Sequence, residues 1–159
     1  MATLKILPIK VRSGYSTHHG QQGDEAPNQT FMVGTLISPD ANGKFQATPA
    51  GASAATARNR VAMSFGQNVA VPTRRVEYQD PHRFGTLEVT AGGTAATAAL
   101  IKVGATYGLG FDAATGLHFL NLSDTTNVVF RIEDTQLVRG VLGADTNVRV
   151  VATIVSTAR

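Results

Sequence analysis

The sequence predicts an all-β protein: a compact β-barrel or β-sandwich of short antiparallel strands with an extended N-terminal arm or loop. Three observations carry this. Strand-sized runs of alternating apolar and polar or small residues recur along the chain, most of them separated by Gly, Asn, Asp or Pro. No segment sustains a 3.6-residue apolar period with caps at its ends. One phrase is used twice: residues 31–45 (FMVGTLISPDANGKF) and 106–122 (TYGLGFDAATGLHFLNL) each run an apolar segment into Asp-Ala, a Gly-bearing turn and a second apolar segment. That is a hairpin signature. The whole chain, 1–159, is read as a single β-rich domain, with 13–30 as a polar arm or long loop.

Each element has its own justification. Residues 4–12 read as a strand with Leu7, Ile9 and Val11 on one face and Lys10 and Arg12 on the other. Residues 13–30 are polar, Gly-punctuated and without period, hence the arm. A strand over 31–38 turns at 39–43, where Asn42-Gly43 accepts positive φ, and returns over 44–47. Residues 48–59 are Ala-, Thr- and Gly-rich, a loop or a short helix. Val61, Met63 and Phe65 alternate as a strand. Residues 74–79 and 83–90 form two strands broken at Asp80-Pro81, because Pro cannot donate to a ladder. A small-residue turn at 91–97 leads into an apolar run at 98–103. The second hairpin pairs 107–111 with 117–122 around 112–116. Strands over 128–132, 136–142 and 148–155 complete the chain, with Glu133-Asp134 ending one and 143–147 joining the last two. In the final strand Val148, Val150, Ala152 and Ile154 share one face. Arg149, Val151, Thr153 and Val155 share the other, so cover is expected on both.

The composition removes several functions. Cysteine is absent, which excludes disulfides, thiolate metal sites and a Cys nucleophile. The N-terminal residues alternate apolar and basic types without the apolar core of a secretory leader, and no run approaches a membrane span. A soluble protein synthesised in the cytoplasm is expected. Fourteen Lys and Arg stand against eleven Asp and Glu, with 16% of residues charged. That excess is too dilute to form the basic stripe of a nucleic-acid binder. The cations are mainly Arg, which suits ordered ion pairs and fixed interfaces.

Candidate chemistry reduces to turn and surface chemistry. Gly108-Leu109-Gly110-Phe111-Asp112-Ala113 fits a loose dinucleotide pattern, but a helix N-terminus must follow to hold the pyrophosphate, and a turn and a strand follow instead. His18 and His19 are adjacent, so on extended chain they point to opposite sides and make a poor ligand pair. His118 reads as a packed or surface residue rather than a base. No nucleophile elbow holds a serine, and the consecutive acids Asp24-Glu25 and Glu133-Asp134 do not converge across a cleft. Arg74, Arg75, Tyr78, Arg83 and Phe84 form the one neighbourhood with stacking potential, read as an ion-paired sheet face with Glu77 and Asp80. No enzyme, no cofactor and no metal are expected.

Gly34-Thr35-Leu36, Asp40-Ala41-Asn42-Gly43-Lys44 and the Ala/Thr-rich stretch after them resemble the opening phrase of tailed-bacteriophage head decoration (cement) proteins. Tyr107-Gly108-Leu109, Asp112, Thr115-Gly116 and the closing strand at 147–156 are similar to parts of such virion proteins. The resemblance covers about half the chain and is one of style; the arm at 13–30 is longer than in the family's short forms. It implies a β-rich structural protein on the outer surface of an icosahedral capsid, bound to the major capsid protein across neighbouring capsomers, often as a trimer. Repeated weak contacts on a lattice provide avidity without a deep pocket. On this reading the arm over 15–25 orders on binding, and the candidate capsid contacts are Arg12, Tyr15, His18, His19, Asp24, Glu25, Arg58 and Arg60. The alternatives are another phage structural subunit, of tail tube or head completion, or a ligand-binding β-barrel module for nucleic acid or carbohydrate.

Overall fold

The structure, a computed structural model, describes residues 3–13, 21–53, 59–80, 85–92, 100–142 and 144–155. They form strands and turns, with no helix among them. In chain order the strands are β1 (Lys10–Ser13), β2 (Gln21–Gly23), β3 (Leu36–Pro39), β4 (Phe45–Ala47), β5 (Arg60–Ala62), β6 (Val76–Gln79), β7 (Thr86–Gly92), β8 (Thr106–Asp112), β9 (Leu117–Asn121), β10 (Phe130–Arg139) and β11 (Val148–Ile154). The fold is all-β.

Five of these strands close on themselves. The order β7-β11-β10-β8-β9 returns to β7 through a parallel pairing, Ala91 beside Leu120 and Gly92 beside Asn121. The other pairings in the ring are antiparallel. Closure removes the open edges that an exposed sheet would present. β1 lies along the remaining length of β7, with Lys10 opposite Glu88. A second sheet, β2-β6-β5-β3-β4, packs beside the barrel.

Period-2 alternation divides the apolar residues between two cores. Val148, Val150, Ala152 and Ile154 of β11 enter the barrel interior with Leu87, Val89, Leu109, Leu120, Phe130 and Ile132. The opposite face of β11 is covered too: Arg149 and Val151 are buried, as two apolar-rich faces require. Leu36 and Val61, paired across β3 and β5, face the barrel core. Their neighbours Ile37 and Ala62 point the other way, into a smaller cluster with Phe31, Phe45 and Val76.

The two hairpins form as the repeated phrase predicts, and by the same chemistry. In the β3–β4 turn the Asp40 carboxylate accepts the N–H groups of Asn42 and Lys44 at 2.8 and 2.9 Å, and Gly43 takes φ +77°. In the β8–β9 turn the Asp112 carboxylate accepts the Thr115 N–H at 3.2 Å, and Gly116 takes φ +70°. An Asp that caps its own turn and a glycine in the left-handed region are what a tight reversal needs.

Several sequence readings change. Of the strand expected over 31–38 only Leu36–Ser38 is strand, running on to Pro39. Of the strand expected over 4–12 only Lys10–Arg12 is strand, running on to Ser13. Residues before it run along the barrel, tied by Leu4 N–H to Thr146 O at 3.3 Å, Leu7 N–H to Thr90 Oγ1 at 3.2 Å and Ile9 N–H to Gly34 O at 3.0 Å. In the apolar run expected over 98–103, the described residues from Leu100 on form turns, and Ile101 joins the barrel core. Glu133 and Asp134 lie inside β10, where its register with β11 slips, rather than in a strand-ending turn. There Glu133 is held by Arg131 at 3.2 Å and by the Thr153 hydroxyl at 2.7 Å. Finally, β5 stops at Ala62; Met63 keeps one backbone bond to β6, its N–H to Glu77 O at 2.8 Å, and Phe65 lies beyond the sheet.

His118 ties the hairpin to the second sheet and is fully buried. Its Nδ1 accepts the Leu36 N–H at 3.2 Å, which leaves Nε2 to donate to the Thr48 carbonyl at 2.7 Å. Both ring nitrogens are thus used by the neutral tautomer. Burial lowers its pKa from 6.5 to about 4, against the opposing hydrogen bond to Thr48.

Candidate functional site

Exposed apolar side chains concentrate on the loop over 63–75, between β5 and β6. It carries four exposed large apolar side chains: Met63, Phe65, Val69 and Val71, the last 77% exposed. Single exposed apolar residues are ordinary, but four on one short loop are not.

The loop is held by its neighbours rather than by a core of its own. Gly66 N–H donates to Phe31 O at 2.9 Å, Asn68 N–H to Gln29 O at 2.8 Å and Asn28 N–H to Val69 O at 2.8 Å. Gly66 has to be small there, since a Cβ would lie 2.4 Å from the Gln29 carbonyl oxygen. Beneath the loop, the Glu25 carboxylate accepts the backbone N–H of Gln67 at 2.7 Å and its side-chain amide at 3.2 Å. Gln67 passes the constraint onward: Nε2 also donates to the Arg74 carbonyl at 2.9 Å, and Oε1 accepts the Thr73 N–H at 3.3 Å. The Gln67 N–H and both polar atoms of its side chain are engaged across the loop, so the apolar tips project from a fixed base.

Cations flank these tips. Arg75 pairs with Asp24 at 3.4 Å and donates to Gln22 O at 3.1 Å, while Arg74 reaches the Phe65 carbonyl at 3.4 Å. Together with Lys44 they border a shallow hollow that Val71, Pro72 and Asp24 also line.

The candidate contacts named from sequence fall in different places. Tyr15, His18, His19 and Arg58 lie outside the described residues, as do 14–20 of the expected arm. Asp24 is exposed beside Arg75. Glu25 is only 3% exposed and committed to the loop from beneath, and its backbone bridges to Phe45. It is a support, not a contact. The chain at 21–23 is an edge strand on β6, with Gln21 opposite Tyr78 and Gly23 opposite Val76. Arg60 pairs with Asp80 at 3.2 Å and is largely covered. Arg12 is half exposed and shares Glu88 with Arg149, at 3.5 and 3.3 Å. The structure therefore brings Asp24 and Glu25 to the loop and leaves Arg12 and Arg60 elsewhere. Tyr78, considered as a stacking platform, packs its ring on Phe45 at 4.5 Å instead.

The Gly108–Gly110 pattern has a packing explanation. Gly110 lies opposite Phe119, and a Cβ there would sit 2.3 Å from the ring. At Gly108 a Cβ would sit 2.5 Å from the Asp124 carboxylate. Asp124 accepts the N–H groups of Thr126 and Asn127, both at 3.0 Å, and the Asn127 bond leads in holding its pKa below the usual carboxylate value. The two glycines make room for an aromatic ring and a loop cap, not for a pyrophosphate.

Sequence reading missed the loop because it assigned Met63 and Phe65 to a strand face. The available signal was Gly66 with Pro72: both interrupt a strand pattern, and between them the apolar residues lack a partner strand. No family model matches the chain, and neither the curated proteins nor the solved structures provide a match.

Proposed function

We propose that the chain is a virion structural protein that attaches to the outer surface of an icosahedral phage capsid and stabilises contacts between neighbouring capsomers. One observation supports this most directly: a loop with four exposed apolar side chains, pinned from below by Glu25 and Gln67. Such a surface is poised to bury apolar area against a protein without first ordering itself, which removes one of the larger costs of association. The adjoining Arg74, Arg75 and Lys44 add positive charge for an acidic partner surface. Repetition on a lattice then converts a modest single contact into lasting occupancy.

Co-sedimentation with expanded capsids tests this reading. Wild-type protein is expected to saturate the capsid. Phe65→Asp and Val71→Asp should each weaken occupancy by at least about tenfold. Val103→Asp, at a similarly exposed position on another loop, should leave it unchanged. Equal occupancy for all four proteins, or none for the wild type, would overturn it.

A further inference from the structure

A cleft of about 710 Å³ lies on the outer face of the barrel, between the N-terminal segment and the second sheet. Leu7, Ile9 and Val11 form one apolar wall, and Val33, Val61 and Met63 form the other. Its volume falls in the range of small-molecule sites, which are mostly apolar with a few placed polar groups.

The polar groups here are unbalanced. Lys10, Arg139 and Arg149 line the cleft against a single carboxylate, Glu88. Arg149 is only 6% exposed. Its Nε donates to Glu88 at 3.3 Å and one terminal nitrogen donates to the Pro8 carbonyl at 2.7 Å. Among the described residues, the other terminal nitrogen, Nη1, is buried and meets no hydrogen-bond partner. Glu88 is already divided between Arg149 and Arg12. A buried guanidinium with an idle donor beside an over-subscribed carboxylate is a costly arrangement, and such groups call for a partner. Burial pulls the Arg149 pKa below its ordinary value, with Glu88 opposing, and Arg139 adds to the lowering.

We propose that this cleft binds an apolar monocarboxylate, its carboxylate on Arg149 Nη1 and its hydrocarbon body between the walls of the N-terminal segment and the second sheet. A carboxylate supplies the missing acceptor and offsets the surplus positive charge, and a guanidinium is the donor best suited to it. A phosphate would bring two charges into a cleft with mainly apolar walls and only one buried idle donor, so a single charge on an apolar tail is the better fit. The site shares Met63 with the attachment loop but does not rest on the capsid-attachment reading. The same chemistry is offered by a free aliphatic acid or by the C-terminus of a peptide ending in an apolar residue.

Titrations of the full chain, followed by thermal unfolding and by amide and methyl NMR shifts, test this. The probes are octanoate, 1-octanol, octylamine, and a short peptide ending in Leu as free acid and as amide. Octanoate or the free-acid peptide should bind saturably, with a Kd on the order of 1 mM or tighter, raise the unfolding midpoint and shift Leu7, Val33 and Met63. Whichever of the two binds more tightly identifies the source. Arg149→Met should weaken the interaction at least about tenfold. Val33→Trp, which fills the cleft and keeps Arg149 in place, should abolish it even if Arg149→Met fails to fold. A response to octanol or octylamine equal to that of octanoate, or no saturable response to either carboxylate, would overturn the proposal.

Discussion

Gly110 and Phe119 share one cross-strand position, and their pairing explains the glycine at 110, as Asp124 explains the one at 108. The Phe119 ring lies over Gly110 and also approaches Gly92 on β7, where a Cβ would come within 2.9 Å of the ring. One aromatic side chain thus covers backbone on two strands that β9 joins. Gly110→Ala should cost about 1–3 kcal/mol, since the ring must move from a packed position. The double variant with Phe119→Ala should lose less than the sum of the two single changes, because the clash disappears with the ring. Denaturant unfolding of the four proteins measures this coupling. Strict additivity would show that the ring and the glycine do not constrain each other. A pattern that resembles a nucleotide fingerprint is, at this scale, a steric relation between three strands.

The elements most legible in the sequence are those whose cause is local. Asp40 with Gly43 and Asp112 with Gly116 specify their reversals within five residues, so both hairpins can be read from the chain. The alternation in β11 likewise shows two covered faces. β2 could not be read this way: Gln21-Gln22-Gly23 has no apolar period and becomes a strand only because β6 offers an edge. The candidate site was legible in part. Asp24 and Glu25 stand out by charge, but the burial of Glu25 depends on a loop forty residues later. That dependence is testable. Glu25→Ala should leave the Gln67 N–H without its acceptor and the side-chain amide with Arg74 O alone, at a cost of about 1–3 kcal/mol. It should speed hydrogen exchange at Gln67 and Asn68 while leaving the β8–β9 amides protected. Unchanged exchange at Gln67 would show that the backbone bonds to 28–31 hold the loop alone.

Across the whole molecule, His118 is the side chain that registers the docking of one sheet on the other. Its ring hydrogen-bonds to Leu36 and Thr48 only when neutral at Nδ1. The unfolded chain takes up a proton near pH 6.5, and the folded chain does so only near pH 4. The unfolded state binds more protons between those values, so stability falls as pH drops through that window. The loss contributed by His118 should reach about 3 kcal/mol once pH is below both values. His118→Gln should flatten the slope of stability against pH between 6.5 and 4, whatever its effect at neutral pH. A slope identical to wild type would assign the acid sensitivity to other groups.

The position of β11 also bears on how the chain is made. It is the last strand in sequence, yet it sits between β7 and β10 in the ring, and the Leu4 and Pro8 carbonyls are held by Asn147 and Arg149. A ribosome that has released residues 1–140 has therefore produced two open strand edges and no means of sealing them. Closure of the ring must wait for β11, and its pairing with β7, about sixty residues earlier, is slow. Premature termination or C-terminal clipping before residue 148 would yield an adhesive fragment rather than a weaker protein. The ring is closed, in effect, by the seven residues of β11.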